Sequence, residues 1–218
     1  MGNDVLQTTE MKKFALLAFT AFLCGCATNK ATQLVVVGNS ITLHGPTPSI
    51  GWQGDWGMAA PSADKDFSHL VASTLDVPVS VYNLGIESDP AGSMSEIPPI
   101  AGMVGSRTDV VLEFGDNVHV ISPATFGAAY DQLAGALAKG HSLVCVSTFW
   151  ENPAIDRVIK AGCEAHGGHY AFIGDIFTNP DNPDRQSTEY SDWMVNVHPQ
   201  VWGHAHIAER VLVQLQGR

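Results

Sequence analysis

Five short apolar runs, rich in Val, Leu and Ile, alternate along this chain with amphipathic stretches of helical period. The runs are Gln33–Gly38, Val79–Leu84, Asp109–Phe114, Ser142–Thr148 and His169–Gly174. Strands that are apolar almost continuously must be covered on both faces. The helical stretches are Lys65–Leu75, Pro123–Lys139, Ala154–His166 and Pro199–Leu215. Each carries Ser, Asp, Asn or Pro near its start, residues that satisfy or do not need the first-turn N–H groups. The alternation predicts an α/β domain: a five-stranded parallel sheet with helices on both faces. No repeat, low-complexity tract or interdomain linker interrupts residues 33–218.

Composition narrows the function. Hydrophobic residues make up 45 % and charged residues 15 % of the 218 positions. That is enough apolar material for a sizeable core and too little charge for a disordered chain. Eleven Lys and Arg against 22 Asp and Glu give a formal net charge of −11. A nucleic-acid binder needs a basic surface, so no nucleic-acid partner is expected. The four Cys are not spaced as a zinc site. Cys145 falls in a strand-like run and Cys163 in a helix-like one, and both read as buried small hydrophobes rather than a disulfide or a nucleophile.

The first 26 residues read as a targeting segment. Met11-Lys12-Lys13 precedes an apolar run from Phe14 to Leu23, which is short for a permanent membrane span. Met11 is a candidate initiator. The ending Leu23-Cys24-Gly25-Cys26 resembles the bacterial lipobox, in which the last Cys is acylated and becomes the mature N-terminus. That implies lipidation at Cys26, a membrane partner through the lipid, placement in the bacterial cell envelope, and a tether over residues 27–32.

The chemistry concentrates where strands end. The first strand runs into Gly38-Asn39-Ser40, which sets a hydroxyl at the strand end among turn N–H groups. The second ends Asn83-Leu84-Gly85 and the third Gly115-Asp116-Asn117. A backbone N–H at Gly85 and the amide of Asn117 could serve as oxyanion donors beside that of Ser40. Val197-His198-Pro199 comes directly before the last helix and offers a base for the hydroxyl. His44, His69, His119, His141, His166 and His169 read as surface or core histidines. His204 and His206, two apart on a helix, face different ways and make a poor metal pair.

Taken together, Ser40, Gly85, Asn117 and His198, in that order, resemble the blocks of the SGNH hydrolases, the GDSL esterase/lipase family. The resemblance covers roughly Gln33 to the C-terminus. It implies a flavodoxin-like three-layer α/β/α fold and acyl-ester hydrolysis or transfer with no metal or organic cofactor. Two positions depart from the pattern. Asn39 stands where the family usually has Asp. Val195 stands three residues before His198, where the family usually has the Asp of its triad. The imidazole then needs another acceptor, either Asp192 or a backbone carbonyl between Trp193 and Val195. The carbonyl reading, a Ser-His dyad, is favoured over a triad with Asp192.

The long segment Asn39–Ala63 carries Trp52 and Trp56, and Trp150 follows the fourth strand. Tryptophan faces suit sugar rings, so Trp52 and Trp56 are candidate substrate-binding residues, the alternative being that both pin the loop to the domain. Trp150, as a lining of the same cleft, Trp193 and Trp202 are weaker candidates, and Trp202, inside a helix, reads as core. A second long loop spans Asp175–Val197, in which Asp175 and Asp181–Asp184 read as solvated charges. The expected activity is hydrolysis of small acyl esters, acetyl above all, on carbohydrate. The alternatives are a lysophospholipase or thioesterase, and an inactive glycan-binding module.

Overall fold

The computed structural model describes Met1, residues 30–185 and residues 187–217. The targeting segment, Cys26 and the tether before Lys30 lie outside the described residues. From there the tether is docked: the Thr32 N–H donates to the Arg107 carbonyl at 2.8 Å.

The elements follow in the order β1 (Gln33–Gly38), α1 (Phe67–Leu75), β2 (Val79–Asn83), α2 (Pro90–Ser93), α3 (Ile97–Met103), β3 (Thr108–Glu113), α4 (Pro123–Leu137), β4 (Ser142–Val146), α5 (Pro153–Ala165), β5 (His169–Ala171), α6 (Trp193–Asn196) and α7 (Val201–Gln216). The sheet has the order β2-β1-β3-β4-β5, parallel throughout. Its strands finish level: Gly38 lies opposite both Asn83 and Glu113, and Val146 lies opposite Glu113 and Ala171. The chain leaves β1 toward one edge and then returns to build the other. The crevice between β1 and β3 is therefore the switch point at which such sheets bind ligands.

The period of two in each strand feeds two separate cores. Val35, Val37, Val110 and Leu112 face α3, α4 and α5, where Phe126, Leu133 and Ile159 pack. Leu34, Val36, Val111 and Val144 face α1 and α7, where Phe67, Ile207 and Val211 pack. Each aliphatic side chain fully buried this way is worth roughly 1.5–3 kcal/mol, which explains runs without polar alternation.

The predicted three-layer fold and its five strands are present, with ends shifted by a few residues. Three helical segments, α2, α3 and α6, were not predicted. Pro90, Pro98 and Pro99 each lie in the first turn of α2 or α3, where no N–H is needed. The reading of the two domain cysteines needs correction. Cys145 on β4 and Cys163 on α5 form a disulfide, with Cα atoms 6.0 Å apart. Packing of α5 across the sheet brings together residues 18 apart in sequence, and no periodicity announces it.

One histidine staples the long loop to the domain. His204 of α7 is fully buried; its Nδ1 accepts from the Phe67 N–H at 3.2 Å and its Nε2 donates to the Met58 carbonyl at 3.1 Å. Burial pushes its pKa down to about 4, so the ring is neutral in the folded protein at neutral pH. His206, two residues on, bonds instead to the Trp202 carbonyl at 2.9 Å.

Candidate active site

Ser40 stands two residues beyond the end of β1. Gly38 must be glycine for space: a Cβ there would collide with the Thr42 side chain and sit 2.5 Å from the Glu113 carbonyl. The turn is closed by Thr42 and Leu43, whose N–H groups donate to the Asn39 carbonyl at 3.0 and 2.9 Å. His198 comes from the far end of the chain, just before α7. Its Nε2 is 2.9 Å from the Ser40 Oγ, and its Nδ1 is 2.6 Å from the Met194 carbonyl oxygen. A carbonyl can only accept. Nδ1 therefore carries the proton, and Nε2 faces the serine hydroxyl as an acceptor. His198 is only 8 % exposed, and the Trp150 ring packs against it edge-on at 5.1 Å. Burial pushes its pKa down to about 4, against the smaller upward pull of the Met194 carbonyl.

Ser40 and His198 open onto a cleft of about 930 Å³ at the carboxyl ends of the strands. Gly85 and Asn117 line it with them, from the loops after β2 and β3. Among the described residues, neither the Ser40 N–H nor the Gly85 N–H has a hydrogen-bond partner. The Asn117 amide nitrogen donates to the Glu87 carboxylate at 3.1 Å, which leaves one amide hydrogen uncommitted. Three donors without full partners thus surround the cleft beside the hydroxyl.

Carboxyl groups underpin the loops. Glu113, at the end of β3, is fully buried and accepts from the Thr42 hydroxyl at 3.0 Å. Asp116 accepts from the N–H groups of Phe149 and Trp150 at 2.9 and 3.1 Å, which fixes Trp150 behind His198. The remaining oxygens, Glu113 Oε1 and Asp116 Oδ2, are shut from solvent with no separate donor. They satisfy one another when Glu113 carries a proton and donates it to Asp116. Burial and the neighbouring Asp116 and Glu87 charges drive Glu113 well above the usual carboxylate range, and burial lifts Asp116 to about 7. Among the described residues, no group of three His, Cys, Asp or Glu is arranged to hold a metal ion.

No protein-family model matches the chain, and no curated protein matches it in sequence. Solved structures do match in shape. An acetylxylan esterase from Geobacillus stearothermophilus, Axe2, superposes with a TM-score of 0.60 at 15 % identity, over 86 % of this chain and 95 % of that one. LAE5, an α/β hydrolase from the metagenome of Lake Arreo, Spain, gives 0.59 at 16 % identity, over 85 % and 95 %. A lipolytic G-D-S-L protein from Veillonella parvula gives 0.57 at 12 % identity, over 84 % and 97 %. The fold is that of the SGNH hydrolases.

On this scaffold Ser40, Gly85, Asn117 and His198 line one cleft and the favoured carbonyl acceptor for His198 is present, while the alternative acceptor, Asp192, and two of the tryptophan assignments need correction. Asp192 does not reach the imidazole. Its carboxylate caps α6, accepting from the Met194 N–H at 2.8 Å. Capping turns the chain so that the Met194 carbonyl, not a side chain, meets Nδ1. Trp52 and Trp56 are absent from the cleft. Trp52 is 2 % exposed and packs with Met58, Ala59 and Val195 in a small core under the long loop. Its indole N–H donates to the His44 carbonyl at 2.9 Å; that of Trp56 donates to the Ala60 carbonyl at 2.7 Å. Both pin the loop, because large rings with one donor are best buried with that donor paired. Val195 belongs to the same core and is fully buried, so the position three residues before His198 is an apolar packing site.

Trp150 does line the cleft. So do residues that sequence reasoning passed over: His44 and His119, read as surface or core, and the aromatic Phe177. At the mouth, Trp193, Met194 and Val120 are 69, 47 and 68 % exposed. Trp193, one of the weaker candidates, is the tryptophan at the cleft that is exposed to solvent.

Proposed function

We propose that this chain is a serine esterase that removes small acyl groups, acetyl above all, from carbohydrate. The observation that carries the reading is the relay from the Ser40 Oγ to the His198 Nε2 and from the His198 Nδ1 to the Met194 carbonyl, at 2.9 and 2.6 Å. Ser40 attacks the ester carbonyl as His198 takes its proton. The N–H groups of Ser40 and Gly85 and the Asn117 amide receive the oxyanion. His198 returns the proton to the departing sugar hydroxyl, then activates a water that releases the acid and frees Ser40. The acetylxylan esterase among the structures of like fold supports a carbohydrate ester as substrate, as do Trp150 and Trp193 lining the cleft.

The lipobox-like ending at Cys26 supports export and lipid anchoring in the cell envelope. The Cys145–Cys163 disulfide supports the same placement, since such bonds persist in oxidising compartments. Mass spectrometry of the mature N-terminus tests it; an unacylated terminus downstream of Cys26 contradicts it.

A second reading has its own support. The cleft wall is largely apolar, with Ile50, Met58, Leu84, Phe177 and Met194 facing it, which suits a longer acyl chain. Comparing acetylated xylo-oligosaccharides with acetyl, octanoyl and palmitoyl esters separates the two. The carbohydrate esterase predicts the highest kcat/KM on acetyl esters; a preference rising with chain length assigns the cleft to lipid or thioester acyl groups. Sugar binding without turnover of any ester contradicts catalysis altogether.

A carbonyl acceptor fixes the tautomer but stabilises an imidazolium less than a carboxylate does. Neutral imidazole is the active base, and a depressed pKa keeps it neutral to lower pH. We expect kcat/KM to rise through an apparent pKa of about 4 and stay level to pH 7. An acid limb breaking at 6.5 or above contradicts the buried, carbonyl-held imidazole. Asp192→Asn retains an oxygen to cap α6, so its turnover is expected to fall less than about tenfold, or about 1.4 kcal/mol of barrier. A loss as large as that of His198→Ala would make Asp192 the third triad member.

A further inference from the structure

Glu87 lies two residues beyond Gly85 in the loop after β2 and is only 2 % exposed. Its carboxylate is filled with donors. Oε1 accepts from the N–H of Gly115 and, at 3.4 Å, from that of Asn117. Oε2 accepts from the side-chain amides of Asn39 at 2.9 Å and Asn117 at 3.1 Å. Asn39 in turn holds the Ile41 N–H at 3.2 Å, just past the serine. One carboxylate therefore joins the loop of Ser40 to the loop of Asn117. Gly115, whose N–H donates to Glu87, has φ of +118° and no room for a Cβ against Thr148, Ile155 and Ile159.

We propose that Glu87 is a positioning residue, whose carboxylate keeps the nitrogen of the Asn117 amide at the edge of the cleft where the oxyanion forms. The inference rests on the esterase reading. An amide can turn over end for end, exchanging its oxygen and nitrogen. Turned over, Asn117 would set its carbonyl oxygen against a buried carboxylate, acceptor against acceptor. It would also lose a hydrogen bond to a charged group. With the nitrogen toward Glu87, one N–H is spent on the carboxylate and the second is left for the oxyanion. The donor needed in the transition state is thus oriented before substrate arrives. A glutamine at position 87 would remove this bias, because its own NH2 group can donate to a turned-over Asn117.

The test is a double-mutant cycle on an activated acetyl ester, with melting temperatures and with Ser40→Ala alongside. For Glu87→Gln we expect kcat to fall by at least about tenfold with KM within threefold, since the affected donor acts on the transition state. In the Asn117→Ala background the same substitution should cost less than twofold, because the amide it orients is gone. A folded Glu87→Gln protein with kcat within twofold of the parent overturns the proposal. So do losses that simply multiply in the double variant, which would mark Glu87 as a structural strut. If Glu87→Gln does not fold, Glu87→Asp replaces it, drawing the carboxylate back by one methylene. A severalfold loss of kcat that disappears in the Asn117→Ala background then supports the proposal, and an unchanged kcat or multiplicative losses overturn it. Ser40→Ala separates the failures: if it retains turnover, the esterase reading falls first.

Discussion

Ser40→Ala is expected to leave less than about a thousandth of the ester turnover while the melting temperature stays within a few degrees. The side chain is half-buried at the edge of a cleft, and among the described residues its Oγ bonds only to the His198 Nε2. Removing it opens no cavity in either core and leaves His198 held by the Met194 carbonyl at 2.6 Å. Catalysis loses its nucleophile outright. What remains is the contribution of the oxyanion donors and of substrate binding, so the loss is large but not total. His198→Ala should fall to a similar level, and the double variant should be little worse than either, because the two act as one unit. Near-normal turnover in folded Ser40→Ala removes the mechanism.

Asn117→Ala is expected to lower kcat by roughly a hundredfold with a small effect on KM, the scale for loss of one oxyanion donor. The side chain lines the cleft and one of its amide hydrogens is committed to Glu87. Its removal leaves Glu87 three of its four donors, Gly115, Asn39 and the backbone N–H of residue 117. The loop should therefore hold its course, and the melting temperature should fall only modestly. An unchanged kcat, with Ser40→Ala inactive, would reduce Asn117 to a turn residue and leave the oxyanion to the two backbone N–H groups.

What the sequence made legible follows from where each property resides. Strands β1 and β3 are covered on both faces, and their unbroken Val and Leu runs announce it. Ser40, Gly85, Asn117 and His198 were legible because each follows a strand or precedes a helix, and the level strand ends bring those positions together. The acceptor for His198 could be narrowed to a few residues and no further. A backbone carbonyl has no signature in side-chain chemistry, and Met194 was set apart only by the turn that Asp192 caps. Glu87 drew no reading at all, since nothing local says that the loops after β1 and β3 will both donate to it. The tryptophans were the reverse case. Trp52 sits in a Gly-rich segment near the serine and looked available to a ligand, yet the loop folds back with Val195 beneath it. Trp193, in a stretch without such punctuation, is the exposed one. The disulfide was hidden for a similar reason: β4 and α5 each bury their cysteine for packing reasons that look the same with or without a bond.

The central claim is that Ser40 is the nucleophile and that His198, held through the Met194 carbonyl, activates it. The most direct measurement is labelling of the intact protein with an activated phosphonate ester, followed by mass spectrometry of its peptides. We expect one phosphonyl group per chain, on the peptide containing Ser40, absent from Ser40→Ala and strongly slowed in His198→Ala, while Asp192→Asn labels at close to the parent rate. An adduct on another residue, or full ester turnover by protein that takes up no label at Ser40, would contradict the account.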